Sequence, residues 1–182
     1  MHYTDHLESL RLTTRFVTLN DVAIWTEYCC DPIATTYTAL PDKTPEQMSQ
    51  FVIETTIQRY ADGRGGLQAL ISKDTGAFIG QCGIFIQEVN GIQETEVGYH
   101  LIPRYWGMGY ATEAAQLFRN YAFENYPLDS IVSIIHPLNE PSKKVALRNG
   151  MHLSDPNADF RGGKYELFRI TRKEWELMKE RK

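Results

Sequence analysis

Between residues 98 and 114 the chain reads GYHLIPRYWGMGYATEA, a strand-like run that passes through a proline into glycines and then opens a helix pattern. The chemistry of that junction belongs to the backbone. The first turn of a helix carries N–H groups with no partner inside the helix and lies at the positive end of the helix dipole. Glycines just ahead of it let an anion approach those N–H groups without meeting Cβ atoms, so Gly107 and Gly109 are placed to admit a diphosphate. Two common phosphate loops are excluded. No Gly-Lys-Ser/Thr ending follows, and the G-x-G-x-x-G fingerprint fails because Thr112 stands where its third glycine belongs. Taken alone, the pattern fits a plain tight turn equally well.

Titratable groups precede the turn. Side chains alternate along a strand, so Glu94, Glu96, Gly98 and His100 share one face while Val97, Tyr99 and Leu101 point the other way, toward a core. Further on, NEPSKKVALRNGM (residues 139–151) reads as a short helix with Asn139 and Ser142 at its start, where both residue types commonly serve as caps. Lys143, Lys144 and Arg148 cluster there, and a solvated helix face accounts for at least two of them.

The elements that must position these groups follow from periodicity and punctuation. Residues 7–19 read as a first strand, and Asn20-Asp21 caps a short helix to about Tyr28. Thr44, Pro45 and Gln47 form a capping box for a second helix, with Met48, Phe51, Val52 and Thr55 at helical spacing up to Asp62-Gly63. Gly66–Lys73, Ala77–Glu88 and Gln93–Ile102 read as an antiparallel meander. A helix over Tyr110–Glu124, a strand over Ser130–Ile135, a helix over Asn139–Asn149, a strand over Lys164–Ile170 and a helix over Thr171–Lys179 complete the chain. Ser154–Gly163 is left as a loop carrying Asp155, Asp159 and Arg161. The order predicts a mixed α+β fold with helices packed on the sheet.

At 182 residues, one domain over 1–182 is expected, and 42% hydrophobic and 23% charged residues suit a soluble globular protein. A net charge of −4 argues against nucleic-acid binding. Cys29, Cys30 and Cys82 show neither a disulfide framework nor metal spacing, and His2, His6, His136 and His152 show no metal spacing either. No secretory signal or membrane-length apolar run is visible, so the expected location is cytoplasmic. Trp25, Phe51, Phe85, Phe118 and Phe123 read as core, and Trp175 as a packing anchor on the last helix.

The run EVGYHLIPRYWGMGYATEA (96–114) resembles the acetyl-CoA motif of the GNAT superfamily, Q/R-x-x-G-x-G/A, and most closely that of its RimJ/RimL-like branch. The family's spacing after the proline sets the frame at Trp106-x-x-Gly109-x-Ala111 rather than Arg104-x-x-Gly107-x-Gly109. NEPSKKVALRNGM resembles the family's N-x-x-S-x-x-V-x-x-K-x-G-F pattern, with Arg148 for Lys and Met151 for Phe. The opening LRLTTRFVTLNDV and closing YELFRITRKEW extend the likeness over nearly the whole chain.

The resemblance implies a GNAT-like fold, with a mostly antiparallel twisted sheet of about 6–7 strands flanked by helices. It implies N-acetyl transfer from acetyl-CoA as co-substrate, without a metal, to a primary amine that attacks the thioester directly. The acceptor would be a protein N-terminus or a small-molecule amine, and a homodimer is compatible with it. Glu96 would then be the base, directly or through a water, with Glu94 in reserve, and Ser142 the acid, since the tyrosine many members carry four residues later is Ala146 here. His100, Leu101 and Ile102 would pair with pantetheine. Trp106, Gly107, Met108, Gly109, Tyr110, Ala111 and Thr112 would hold the diphosphate, with Asn139 and Ser142 also near the cofactor. Lys143, Lys144 or Arg148 would meet the ribose phosphate. The acceptor site would be lined by residues 21–62 and the loop near 155–163. A non-catalytic acyl-CoA-binding module is the competing expectation.

Overall fold

The computed structural model describes residues 4–38 and 41–180, so His2 lies outside them. Seven strands form one sheet in the order β1-β2-β3-β4-β5-β7-β6. They are β1 (Leu12–Phe16), β2 (Gly65–Ser72), β3 (Phe78–Val89), β4 (Ile92–Leu101), β5 (Ser130–Ile135), β6 (His152–Phe160) and β7 (Gly163–Thr171). The helices are α1 (Val22–Cys30), α2 (Pro32–Thr35), α3 (Pro45–Ala61), α4 (Tyr110–Asn125), α5 (Glu140–Arg148) and α6 (Arg172–Glu180). All neighbouring strands run antiparallel except β4 and β5.

Local chemistry accounts for most boundaries. Thr44 caps α3 by accepting from the Gln47 N–H, Gln47 returns the bond to Thr44, and Pro45 occupies the first turn. Asp31 caps α2 through the N–H groups of Ile33 and Ala34 at 2.8 and 2.9 Å. The first strand is shorter than residues 7–19, because Asp21 turns the chain. Its carboxylate accepts from the Thr18 N–H at 2.8 Å and takes both Arg15 Nη atoms at 2.6 and 2.8 Å, starting a 3₁₀ turn (Leu19–Asp21) before α1.

Residues 152–160 form a strand, not the expected loop. Pro156 lacks a backbone donor, but β6 is the last strand of the sheet, where that loss is tolerated. Its pairing with β7 is broken by two register shifts, and Ala158 is fully buried.

The two larger cores lie on opposite faces of the sheet. Phe118, Phe123 and Trp175 join Val97 and Leu101 on the α4–α6 side, whereas Trp25, Ile53 and Ile102 pack on the α1–α3 side. Alternation along β4 thus gives its odd residues to one helical layer and its even residues to the other.

Candidate active site

β4 and β5 meet in parallel at Glu96↔Val132 and then part. Side chains fill the fork. Ser133 Oγ donates to the Val97 carbonyl at 2.8 Å, and the Ile134 N–H donates to Glu96 Oε1 at 3.4 Å. Beyond the fork, β4 continues to Leu101 with one edge unpaired on the β5 side.

Parity along β4 decides which backbone groups face that edge. The Ile102 N–H donates to the Ile79 carbonyl of β3, so His100, in phase with it, also faces β3. Tyr99 and Leu101, in phase with Val97, face the fork. Of the strand end His100–Ile102, expected to pair its backbone with pantetheine, only Leu101 turns its backbone to the fork, and its carbonyl already accepts from Trp106 Nε1 at 2.7 Å.

A cavity of about 620 Å³ opens over the other face of the fork, and Glu96, Gly98 and His100 form part of its floor. Its walls come from α1, α3, β3 and the β6–β7 hairpin, including Trp25, Phe51, Phe85, Arg59 and Arg161. Phe51 and Phe85 were expected in the core. Phe51 is instead 45% exposed at the cavity's rim and Phe85 is half-buried in its wall. Asp155 and Asp159 stay outside, held by Asn90 at 3.0 Å and Lys164 at 2.6 Å.

Glu96 is buried, and burial raises its carboxyl to about 7 against the smaller opposing pull of the Ile134 N–H, Gln87, Arg161 and Arg59. A carboxyl poised there exchanges protons near neutrality. Glu94, one step back on the same face, is taken by Arg169 at 2.6 and 3.1 Å. Tyr28 donates its single proton to the Ala34 carbonyl at 2.8 Å and lies 3.2 Å from His100 Nδ1. His100 therefore carries its proton on Nδ1, and burial holds its titration down at about 4.

On the opposite face, Tyr99 Oη donates to the Ser142 carbonyl at 2.9 Å, and Ser142 Oγ donates to Tyr99 Oη at 3.2 Å. Burial pushes the Tyr99 phenol up, so it stays protonated. Strand alternation had consigned Tyr99 to the core; its ring does pack there, but its hydroxyl emerges at α5. Asn139 caps α5, accepting from the Ser142 N–H at 3.2 Å.

The glycine turn leaves its donors free. Gly107 and Gly109 have φ of 75° and 83°, the left-handed region that favours glycine, and Gly109 occupies the N-cap of α4 without a side-chain partner. The first bond across the cap is the Glu113 N–H to the Gly109 carbonyl, and no bond to the N–H groups of Tyr110, Ala111 or Thr112 forms among the described residues. Arg104 pairs with Glu27 of α1, away from the turn's open end. Lys143 is held by Glu140 and Glu166, both at 3.0 Å, whereas Arg148 lines a depression with Gly109, Thr112 and Gln116.

A clamp absent from the expected site holds this turn. Arg11 Nη1 donates to the Met108 carbonyl at 2.9 Å, its Nε donates to Glu113 Oε2 at 2.7 Å, and its guanidinium lies 4.3 Å from the Tyr110 ring centre. The Arg11 N–H and Ser9 Oγ complete the hold on Glu113, both at 2.7 Å. Arg11 lies 96 positions before Gly107, and nothing in local spacing joins them. Arg11→Lys, which keeps the charge but loses the fork, is expected to weaken acetyl-CoA binding about 3- to 10-fold by calorimetry, on the order of 1 kcal/mol for a half-exposed pair. An unchanged affinity would show that the clamp does not serve cofactor binding.

Comparison with known proteins bears on the family and the fold. A family model described as an acetyltransferase (GNAT) domain matches residues 11–152. The Bacillus subtilis protein YkkB is 38% identical over 126 residues, 68% of this chain and 71% of its own. An acetyltransferase of Agrobacterium tumefaciens superposes with a TM-score of 0.78 at 29% identity, over 92% of this chain and 95% of its own. Mycobacterium smegmatis RimJ, solved with a CoA disulfide, superposes with a TM-score of 0.69 over 90% of this chain and 83% of its own. At 19% identity that last likeness shows the fold alone.

Proposed function

Because the chain belongs to the GNAT acetyltransferase family, we propose that it moves the acetyl group of acetyl-CoA to a primary amine by direct attack, with both substrates bound together. The observation that carries this reading is the fork itself. Glu96 lies at its vertex facing the 620 Å³ cavity, while the Tyr99–Ser142 pair lies on the opposite face.

The residues fit the co-substrate. The N–H groups of Tyr110, Ala111 and Thr112 are free for a diphosphate, and a Cβ built on Gly107 meets nothing within 4 Å. The Tyr99 backbone and the Leu101 N–H at the unpaired edge of β4 can bond the amides of the pantetheine arm as an added strand would. Acetyl-CoA supplies an activated acyl group on sulfur. Glu96, ionised, takes the amine's proton as the N–C bond forms. The C–S bond breaks, and the departing sulfur receives a proton from Ser142, whose hydroxyl turns from Tyr99 Oη toward it while Tyr99 stays protonated beside the serine. The phenol that many members carry on the equivalent of α5 is replaced here by Ala146, fully buried, and Tyr99 brings a phenol to the same helix from β4.

The test is thiol release from acetyl-CoA across a panel of small amines and unblocked peptides, with the N-acetyl product identified by mass. Turnover with at least one amine is expected. Tight acetyl-CoA binding without turnover of any acceptor would leave only a non-catalytic acyl-CoA-binding module.

A further inference from the structure

The cavity above Glu96 has walls that read as a recognition surface. Its apolar part is aromatic, with Trp25, Tyr28, Phe85 and Tyr165 among its lining residues. Its polar part is rich in donors. Arg59 Nε and Trp25 Nε1 are buried N–H groups with no hydrogen-bond partner among the described residues. The rest of the Arg59 side chain is fixed: Nη2 donates to the Ile86 carbonyl at 2.6 Å, and the guanidinium lies 5.0 Å from the Phe85 ring centre. A held guanidinium with an unused buried donor calls for an oxygen acceptor.

Arg161 adds a second cation at the same cavity, with its guanidinium 5.0 Å from the Phe160 ring centre. It occupies the first position of the two-residue turn between β6 and β7, with φ of 49° at Arg161 and 77° at Gly162. That turn type favours Asn, Asp or Gly at its first position, so arginine sits there against local preference. Residues that break a local rule are often kept for what the side chain does. Two cations on one cavity repel a polyamine and attract an anion.

We propose that the acceptor is a small amino-acid-like molecule with an apolar body, bound with its amine at Glu96 and its carboxylate at Arg59 and Arg161. This rests on the acetyltransferase reading above and narrows its acceptor. A volume of about 620 Å³ admits such a molecule beside the acetyl group. The aromatic wall covers its side chain, and the two guanidiniums that line the cavity meet its carboxylate oxygens.

Matched acceptors test the proposal: phenylalanine against its amide and against phenethylamine, with spermidine and an unblocked tetrapeptide alongside. The two neutral analogues bracket the amine basicity of the acid, so a common preference for the acid reports the carboxylate. It is expected to exceed both in kcat/KM by about 10- to 100-fold, the range of a charge-assisted hydrogen bond. Arg59→Gln and Arg161→Gln should each shrink that ratio about tenfold. Arg161 is exposed at a hairpin tip, so its variant reads the effect even if Arg59→Gln fails to fold. Preference for spermidine, a neutral amine or the peptide overturns the acceptor class while leaving acetyl transfer intact. An equal loss for acid and amide in the arginine variants overturns it too. No thiol release with any acceptor removes the acetyltransferase reading itself.

Discussion

Glu96→Gln is expected to lower kcat/KM for amine acetylation by about 10²- to 10⁴-fold, the range for removing a general base. The pH profile identifies the group. With an acceptor whose amine is already neutral above pH 6, the wild-type rate should rise with pH and level off near the Glu96 titration at about 7. A carboxyl at the ordinary value of 4.5 would give a flat profile over the same range. The other groups around the cavity do not mimic this limb. Arg59 on α3 and Arg161 on the β6–β7 hairpin are the cations beside it, Tyr28 is pushed up by burial, and His100 is held at about 4. The limb should vanish in the Gln variant. A variant with normal turnover, or with the limb intact, removes Glu96 from the mechanism.

The same substitution should stabilise the fold above neutrality. The folded carboxyl titrates higher than the unfolded one, so its stabilising contribution is complete below about 4.5 and is lost as pH rises through about 7. A shift of that size is worth on the order of 3 kcal/mol, and an uncharged glutamine escapes it. Thermal melts should therefore show the variant gaining on the wild type between pH 5 and 8, with little change below. A pH-independent difference would show that Glu96 is not held against its solvation. Lost activity beside gained stability is the trade expected of a charge buried for function.

The second large effect is expected at Tyr99 and Ser142. Tyr99→Phe and Ser142→Ala should each lower kcat by about 10- to 100-fold while acetyl-CoA affinity changes little. If the pair passes one proton, the double variant should be little worse than the more damaging single one. Independent roles would instead multiply. Tyr99→Phe also strips a donor from the Ser142 carbonyl, at about 1 kcal/mol of stability, which a melt separates from the kinetic loss. Loss appearing only as weaker acetyl-CoA binding would assign the pair to positioning and overturn the acid role.

Much of this arrangement is legible in one dimension because its causes are local. The α3 capping box lies within four residues, and the meander strands alternate with turn residues between them. The common face of Glu96, Gly98 and His100 follows from strand geometry alone. Strand β6 was illegible because an edge strand with register shifts tolerates the residues that mark loops elsewhere. Phe51 and Phe85 misled because hydrophobicity indicates removal from water and does not distinguish a core from the wall of a cavity.

The sequence by itself determined the order of the elements apart from α2 and β6, the glycine turn at the N-terminus of α4 and the placement of a carboxyl on the strand before it. Each depends on residues a few positions apart, within reach of helix and strand periodicity. Only the tertiary structure decided which backbone groups of β4 face the fork, that Glu94 is consumed by Arg169, and that Tyr99 meets Ser142. It alone brought Arg11 to the glycine turn and Arg59 to the cavity of Glu96. Those contacts join residues tens of positions apart, set by strand order and by the layer each helix covers, and no local spacing encodes them.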